Sequence, residues 1–207
     1  MIAIIDYGMG NLSSVKKAID YIGFDAVITS DPKVVLGADG VILPGVGAIS
    51  FAMEALKENK LDEAVKEYVK SGKPFMGICL GMQMLFDESE ESSTGTNVKG
   101  FGLIKGTVRK FPSKETVEEG LKVPQIGWNS LTNVNCPYLS EDSYVYFVHS
   151  FYCDPEDKSD VAAETEYGIK YCCAVMHDNI FATQFHPEKS GEVGLNILKK
   201  FAGRTRQ

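Results

Sequence analysis

The sequence predicts an α/β fold: one domain with a central, mostly parallel sheet flanked by helices, and extra antiparallel strands in the second half. Three observations carry this. Over the first ~85 residues, short apolar runs alternate with amphipathic stretches of helical spacing, the pattern of βαβ units. Those runs are apolar almost throughout, as strands covered by helices on both faces must be. Beyond an acidic segment at 87–96, short strand-like runs follow one another with little helical spacing between them. At 207 residues the chain fits one domain spanning positions 1–207 and can bury a sizeable core.

The elements follow in order. Residues 2–6 read as a first strand; with no basic leader or cleavage site they do not read as a signal peptide. Residues 13–22 have helical spacing, with Asn11 or Ser13 available as the cap. Residues 26–29 and 41–43 are the second and third strands, the latter stopped by Pro44-Gly45-Val46-Gly47. Helical spacing resumes from 49 to about 70, with a break near Asn59. Residues 75–79 are the fourth strand, and 82–86 read as the start of a helix. The acidic segment 87–96 reads as a solvated loop. Further strands are expected at 106–110, 144–148, 161–165, 173–176 and 180–184, and an amphipathic helix at 192–201 closes the chain.

Composition removes several classes of function. A net charge of −7 argues against a nucleic-acid partner, which needs a basic face. No apolar run is long enough to span a bilayer as a helix. Five cysteines form no CxxC pair and no zinc-like spacing, so neither a metal site nor a disulfide framework is expected. Reduced thiols in the cytoplasm fit this usage best, and no cofactor is expected.

The chemistry centres on Gly77-Ile78-Cys79-Leu80-Gly81. A strand runs into a sharp turn with a cysteine at its apex, the thiol counterpart of a nucleophile elbow. Flanking glycines leave room for the turn. A thiol at the start of a helix is biased toward thiolate, the nucleophilic form. A free cysteine in a core strand is equally often inert, so the choice rests on finding a base. Of three histidines, His186 stands out in His186-Pro187-Glu188. Pro187 holds His186 extended. Glu188, two residues on, shares its face and can take one imidazole N–H, leaving the other nitrogen to accept a proton. His177 reads as surface.

Five segments match one family in order: Asp6-Tyr7-Gly8-Met9-Gly10-Asn11-Leu12, Leu43-Pro44-Gly45-Val46-Gly47-Ala48, Gly77-Ile78-Cys79-Leu80-Gly81-Met82-Gln83, Gly127-Trp128-Asn129 and His186-Pro187-Glu188-Lys189-Ser190. Together they resemble the class I glutamine amidotransferases, over nearly the whole chain, and within them the glutaminases that feed a (β/α)8-barrel cyclase. Gln125-Ile126 departs from the pattern, where the family often has His-Met.

The resemblance implies that Cys79 attacks glutamine, His186 moves the proton and Glu188 orients the imidazole. It implies an oxyanion hole from the Leu80 N–H and from Val46 or Gly47. It further implies substrate contacts from Gln83 and from the segment of His149 and Ser150; of the acidic run, Glu91 is the carboxylate expected to hold the substrate's ammonium. Trp128 and Lys189 are the implied contacts with the cyclase, in a heterodimer. Gly8–Asn11 lacks the lysine of a phosphate loop and the full dinucleotide fingerprint, so it reads as a βα turn on the partner-facing rim.

Overall fold

The computed structural model describes residues 1–92, 95–112 and 122–206. The first half is built as β1 (Ile2–Ile5), α1 (Leu12–Tyr21), β2 (Ala26–Thr29), α2 (Pro32–Gly37), β3 (Gly40–Gly45), α3 (Ile49–Glu58), α4 (Leu61–Lys70), β4 (Phe75–Cys79) and α5 (Leu80–Gln83). Then follow β5 (Phe86–Ser89), β6 (Val98–Lys99), β7 (Ile104–Lys110), β8 (Gln125–Ser130), β9 (Tyr144–His149), β10 (Phe151–Pro155), β11 (Val161–Glu166), β12 (Lys170–His177), β13 (Ile180–Thr183) and α6 (Gly191–Gly203).

Local chemistry sets many of these boundaries. Helix α2, not foreseen from the sequence, starts on Asp31, which accepts from the Lys33 N–H at 2.8 Å, with Pro32 in the first turn. The break between α3 and α4 falls where expected. Asn59 bonds back to the Ala55 carbonyl at 2.8 Å, and Lys60 adopts a left-handed conformation that no helix can propagate.

Among the described residues the main sheet runs β2-β1-β3-β4-β13-β12-β10-β7-β5-β6, with β11 added beside β12. The pairs from β2 through β13 are parallel. Beyond β13 the pairs are antiparallel, except that β5 lies parallel to β7. Strands β8 and β9 form a separate antiparallel ribbon. One face of the sheet is covered by α2, α3 and α4, and the other by α1 and α6. Core strands β1, β3, β4 and β13 are buried at every residue, which is why their sequences do not alternate.

Two expectations fail. The helix after Cys79 lasts a single turn, and Phe86–Ser89 is a strand beside β7. Short apolar runs fit buried strand and buried helix equally well. Nor is the described part of the acidic segment a solvated loop. Asp87 pairs with Lys105 and accepts from the Gly106 N–H, Glu88 pairs with Lys99, and Glu90 accepts from the Lys110 N–H. Residues 93 and 94 of that segment lie outside the described residues.

Candidate active site

Three adjacent parallel strands end at one place. In register, Gly45 of β3 sits opposite Cys79 of β4, and Ile78 sits opposite Thr183 of β13. The segments that follow are therefore neighbours: Val46-Gly47 after β3, Leu80-Gly81 after β4, and Gln184-Phe185-His186 after β13. Parallel pairing alone brings together groups that are distant in sequence, at the strand ends where open α/β sheets bind ligands.

Cys79 occupies φ 55°, ψ −109°, a conformation rare for a residue with a side chain. The sharp turn needs its glycines for close approach. A Cβ on Gly81 would overlap the Leu43 carbonyl, and one on Gly77 would lie 2.8 Å from the Gly81 carbonyl. Because α5 is one turn long, the aligned-dipole argument for thiolate is weaker than the sequence suggests.

His186 is extended (φ −98°, ψ 100°), as the following proline requires. Residues 187–189 then form a 3-10 turn, not an extended strand, and this curl brings Glu188 Oε1 to 2.8 Å from His186 Nδ1. Both side chains are almost wholly buried. A carboxylate bonded to Nδ1 places the ring proton there and turns Nε2 toward the cavity. His186 Nε2 is buried with no hydrogen bond of good geometry, and so are Glu188 Oε2 and the Tyr7 hydroxyl. Burial by itself would lower the His186 pKa. The neighbouring Cys79 and Glu188 outweigh it and raise the pKa to about 9. Burial, followed by the charge of Cys79, raises the Tyr7 pKa.

A cavity of about 300 Å³ is lined by Val46, Gly47, Cys79, Leu80, Gln83, Glu91, Pro124, Val148, His149, Ser150, Phe151 and His186. It therefore gathers every catalytic, oxyanion and substrate residue expected from the sequence except Glu188, which stands behind His186. Gly47 is left-handed (φ 89°), so its peptide can take orientations closed to other residues. Glu91 Oε2 accepts from the Ile49 N–H at 3.0 Å, capping α3 next to the 44–47 segment. Burial, partly offset by this bond, raises the Glu91 pKa. His149 turns inward: Nδ1 lies 2.7 Å from the Phe151 carbonyl and Nε2 3.1 Å from the Tyr171 hydroxyl. Chiefly burial lowers its pKa to about 4, so its ring is neutral near pH 7. Ser150 lines the cavity, and its carbonyl accepts from the Phe111 N–H.

Trp128 and Lys189 converge on a residue that sequence reasoning missed. The Trp128 ring meets Tyr146 edge-on at 6.1 Å, and Lys189 Nζ lies 5.9 Å from the centroid of the same ring. Tyr146 is in turn tied to the histidine turn. Its carbonyl accepts from the His186 N–H at 3.0 Å, and its N–H donates to Ser190 Oγ at 3.0 Å. Ile126, Trp128 and Tyr144 are exposed along one face of the β8–β9 ribbon, and Val148 on the same face lines the cavity. The expectation of a plain surface His177 needs amending: its ring is part exposed but lies 2.8 Å from the largely buried carboxylate of Asp160.

Sheet order, elbow and His-Glu pair together define a class of protein. The chain belongs to the class-I glutamine amidotransferase family, whose model matches residues 3–204. Among curated relatives it is 51% identical to the imidazole glycerol phosphate synthase subunit HisH of Geobacter metallireducens, with 97% of each chain covered. It is 49% identical to the subunit of the same name from Methanothermobacter thermautotrophicus, again over 97% of each chain. Among solved structures, a glutamine amidotransferase superimposes with a TM-score of 0.72 at 16% identity, covering 98% of this chain and 100% of the other. The Thermotoga maritima structure named PurLQS gives 0.67 at 19% identity, covering 98% and 97%. These last two bear on the fold alone.

Proposed function

We propose that this chain is the glutaminase subunit of an imidazole glycerol phosphate synthase, acting in histidine biosynthesis. The observation that carries the reading is the convergence of Cys79, the His186–Glu188 pair and the 44–47 segment on one cavity. Near-half identity to HisH subunits along the full length supports the choice of synthase.

The reaction starts with the Cys79 sulfur attacking the side-chain carbonyl carbon of glutamine, its proton passing to His186. Negative charge develops on the carbonyl oxygen and is met by the Leu80 N–H and by Val46 or Gly47. His186 then protonates the amide nitrogen as the C–N bond breaks, because an amide nitrogen leaves poorly without a proton. Ammonia departs, and a γ-glutamyl thioester remains. His186 next takes a proton from water; the resulting hydroxide adds to the thioester carbon, the C–S bond breaks, His186 returns the proton to the departing sulfur, and glutamate leaves. Glu188 holds the imidazole in the required tautomer throughout. Gln83, Glu91 and the 149–150 backbone hold the amino-acid end of the substrate, the free Glu91 oxygen facing its ammonium.

The partner is a (β/α)8-barrel cyclase bound as a heterodimer over the exposed face bearing Ile126, Trp128 and Lys189. The cyclase uses the ammonia to make imidazole glycerol phosphate and an aminoimidazole carboxamide ribotide. Direct transfer has a physical motive: in water at neutral pH ammonia protonates to ammonium, which is not a nucleophile. The Val46–Gly47 peptides couple the two sites, completing the oxyanion hole once an acceptor is bound. Five free cysteines suit the cytoplasm, where thiols stay reduced.

A glutamine-mimicking electrophile, followed by mass spectrometry, tests the assignment of the nucleophile. Burial raises the pKa of Cys136, Cys153, Cys172 and Cys173 and keeps them as unreactive thiols. Labelling should fall on Cys79, faster with the cyclase bound. Labelling of any other cysteine, with Cys79 spared, contradicts the reading.

A further inference from the structure

We propose that Gln184 is a catalytic residue: its side-chain amide nitrogen donates to Cys79 Sγ and stabilises the thiolate, and Gln83 and the Phe151 carbonyl hold it in that orientation. The inference deepens the proposed function and rests on Cys79 being the nucleophile.

Hydrogen-bond arithmetic fixes the direction of every amide involved. The Phe151 carbonyl can only accept. It lies 3.1 Å from the Gln83 side chain, so the atom facing it is Gln83 Nε2. The second hydrogen of that nitrogen points to Gln184, 3.0 Å away, so the atom it meets is Gln184 Oε1. Gln184 Nε2 is thereby turned toward Cys79 Sγ, at 3.6 Å. The Gln184 side chain has no exposed surface. His149 reinforces the anchor by donating from Nδ1 to the same Phe151 carbonyl. Its Nε2 lies 3.1 Å from the oxygen of Tyr171, whose one hydroxyl hydrogen goes to Gln125 Oε1 at 2.7 Å. A buried polar chain thus stands behind the two amides.

A donor aimed at sulfur favours the charged form, whereas an acceptor favours the thiol. Cys79 has one of each, since Sγ also donates to the Val148 carbonyl at 3.8 Å. Only the bond from Gln184 survives, and strengthens, once the proton has gone to His186. The same bond acts again when the C–S bond breaks and charge returns to sulfur. Both Gln83 hydrogens are occupied inward, so only its Oε1 is left for substrate.

The test is the rate of Cys79 alkylation by the glutamine-mimicking electrophile as a function of pH, with the cyclase complex as the protein. Titratable groups around the sulfur are His186, Tyr7 and Cys153, with Glu188, His149 and Glu91 farther out; all are common to parent and variants. Gln184→Met keeps length and removes the donor. Gln83→Leu releases the Gln184 amide from a different element and serves where Gln184→Met does not fold. Either should move the rise of alkylation upward by about one pH unit, slowing labelling about tenfold at pH 7; Gln184→Asn should fail to restore it, being too short. An unshifted profile, or an equal slowing at every pH, overturns the proposal. If the parent is not labelled at Cys79 at all, it is the nucleophile assignment that falls.

Discussion

His149 and His186 lie within one site yet are pushed in opposite directions. His149 is buried among neutral partners and its pKa falls from 6.5 to about 4. His186 is at least as buried, yet sulfur and carboxylate raise its pKa from 6.5 to about 9. The raised group contributes stability that is fully present below pH 6.5 and lost as pH rises through 9. The depressed group contributes stability present above pH 6.5 and lost as pH falls through 4. The midpoint of thermal unfolding should therefore peak between these windows. Replacing His149 by Leu should flatten the decline between pH 6.5 and 4, and a slope identical to the parent's would contradict the assignment. The proposed mechanism uses the same split, assigning the proton transfers to His186 and none to His149.

At the scale of elements, the elbow works because β3, β4 and the one-turn α5 approach more closely than side chains normally allow. Gly81 packs against the Leu43 carbonyl, where a backbone atom cannot swing aside. Gly81→Ala should lower stability by ~1–3 kcal/mol through overpacking and displace Leu80 and Cys79. Denaturant unfolding and glutaminase assay of the complex should fall together; a stable, fully active variant would show that the strands can yield. The elbow and the His-Pro-Glu turn were legible in the sequence because each is local: backbone requirements and side-chain chemistry lie within a few consecutive residues. Gln184, Tyr7 and Tyr146 were not, because their partners come from other strands. Gln184 sits two residues from the identified histidine, yet nothing local indicates that its amide faces sulfur. The strand Phe86–Ser89 was missed for a related reason, as its pairing with β7 is a tertiary choice.

On the scale of the whole molecule, the parallel half of the sheet was readable from its unbroken apolar runs. The antiparallel half was readable in outline only, since strand order there depends on long-range pairing. One consequence is functional. The β8–β9 ribbon stands apart from the main sheet, exposing Ile126 and Trp128 while tying Tyr146 to the His186 turn. A partner docking there would rest on the ribbon that bonds the His186 backbone through Tyr146. Trp128→Ala should weaken binding to the cyclase by more than ~1 kcal/mol, as expected for a buried aromatic anchor; titration of one subunit against the other measures this, and unchanged affinity would move the interface elsewhere.

In the proposed function the joined ends of β3, β4 and β13 form a glutaminase site whose product is handed to a cyclase. The most direct measurement compares glutamine-dependent with ammonia-dependent synthesis by complexes carrying Cys79→Ala or His186→Ala. Synthesis from glutamine should disappear while synthesis from added ammonia persists near the parent rate. Retention of glutamine-dependent synthesis, or loss of both activities in an intact complex, would contradict it.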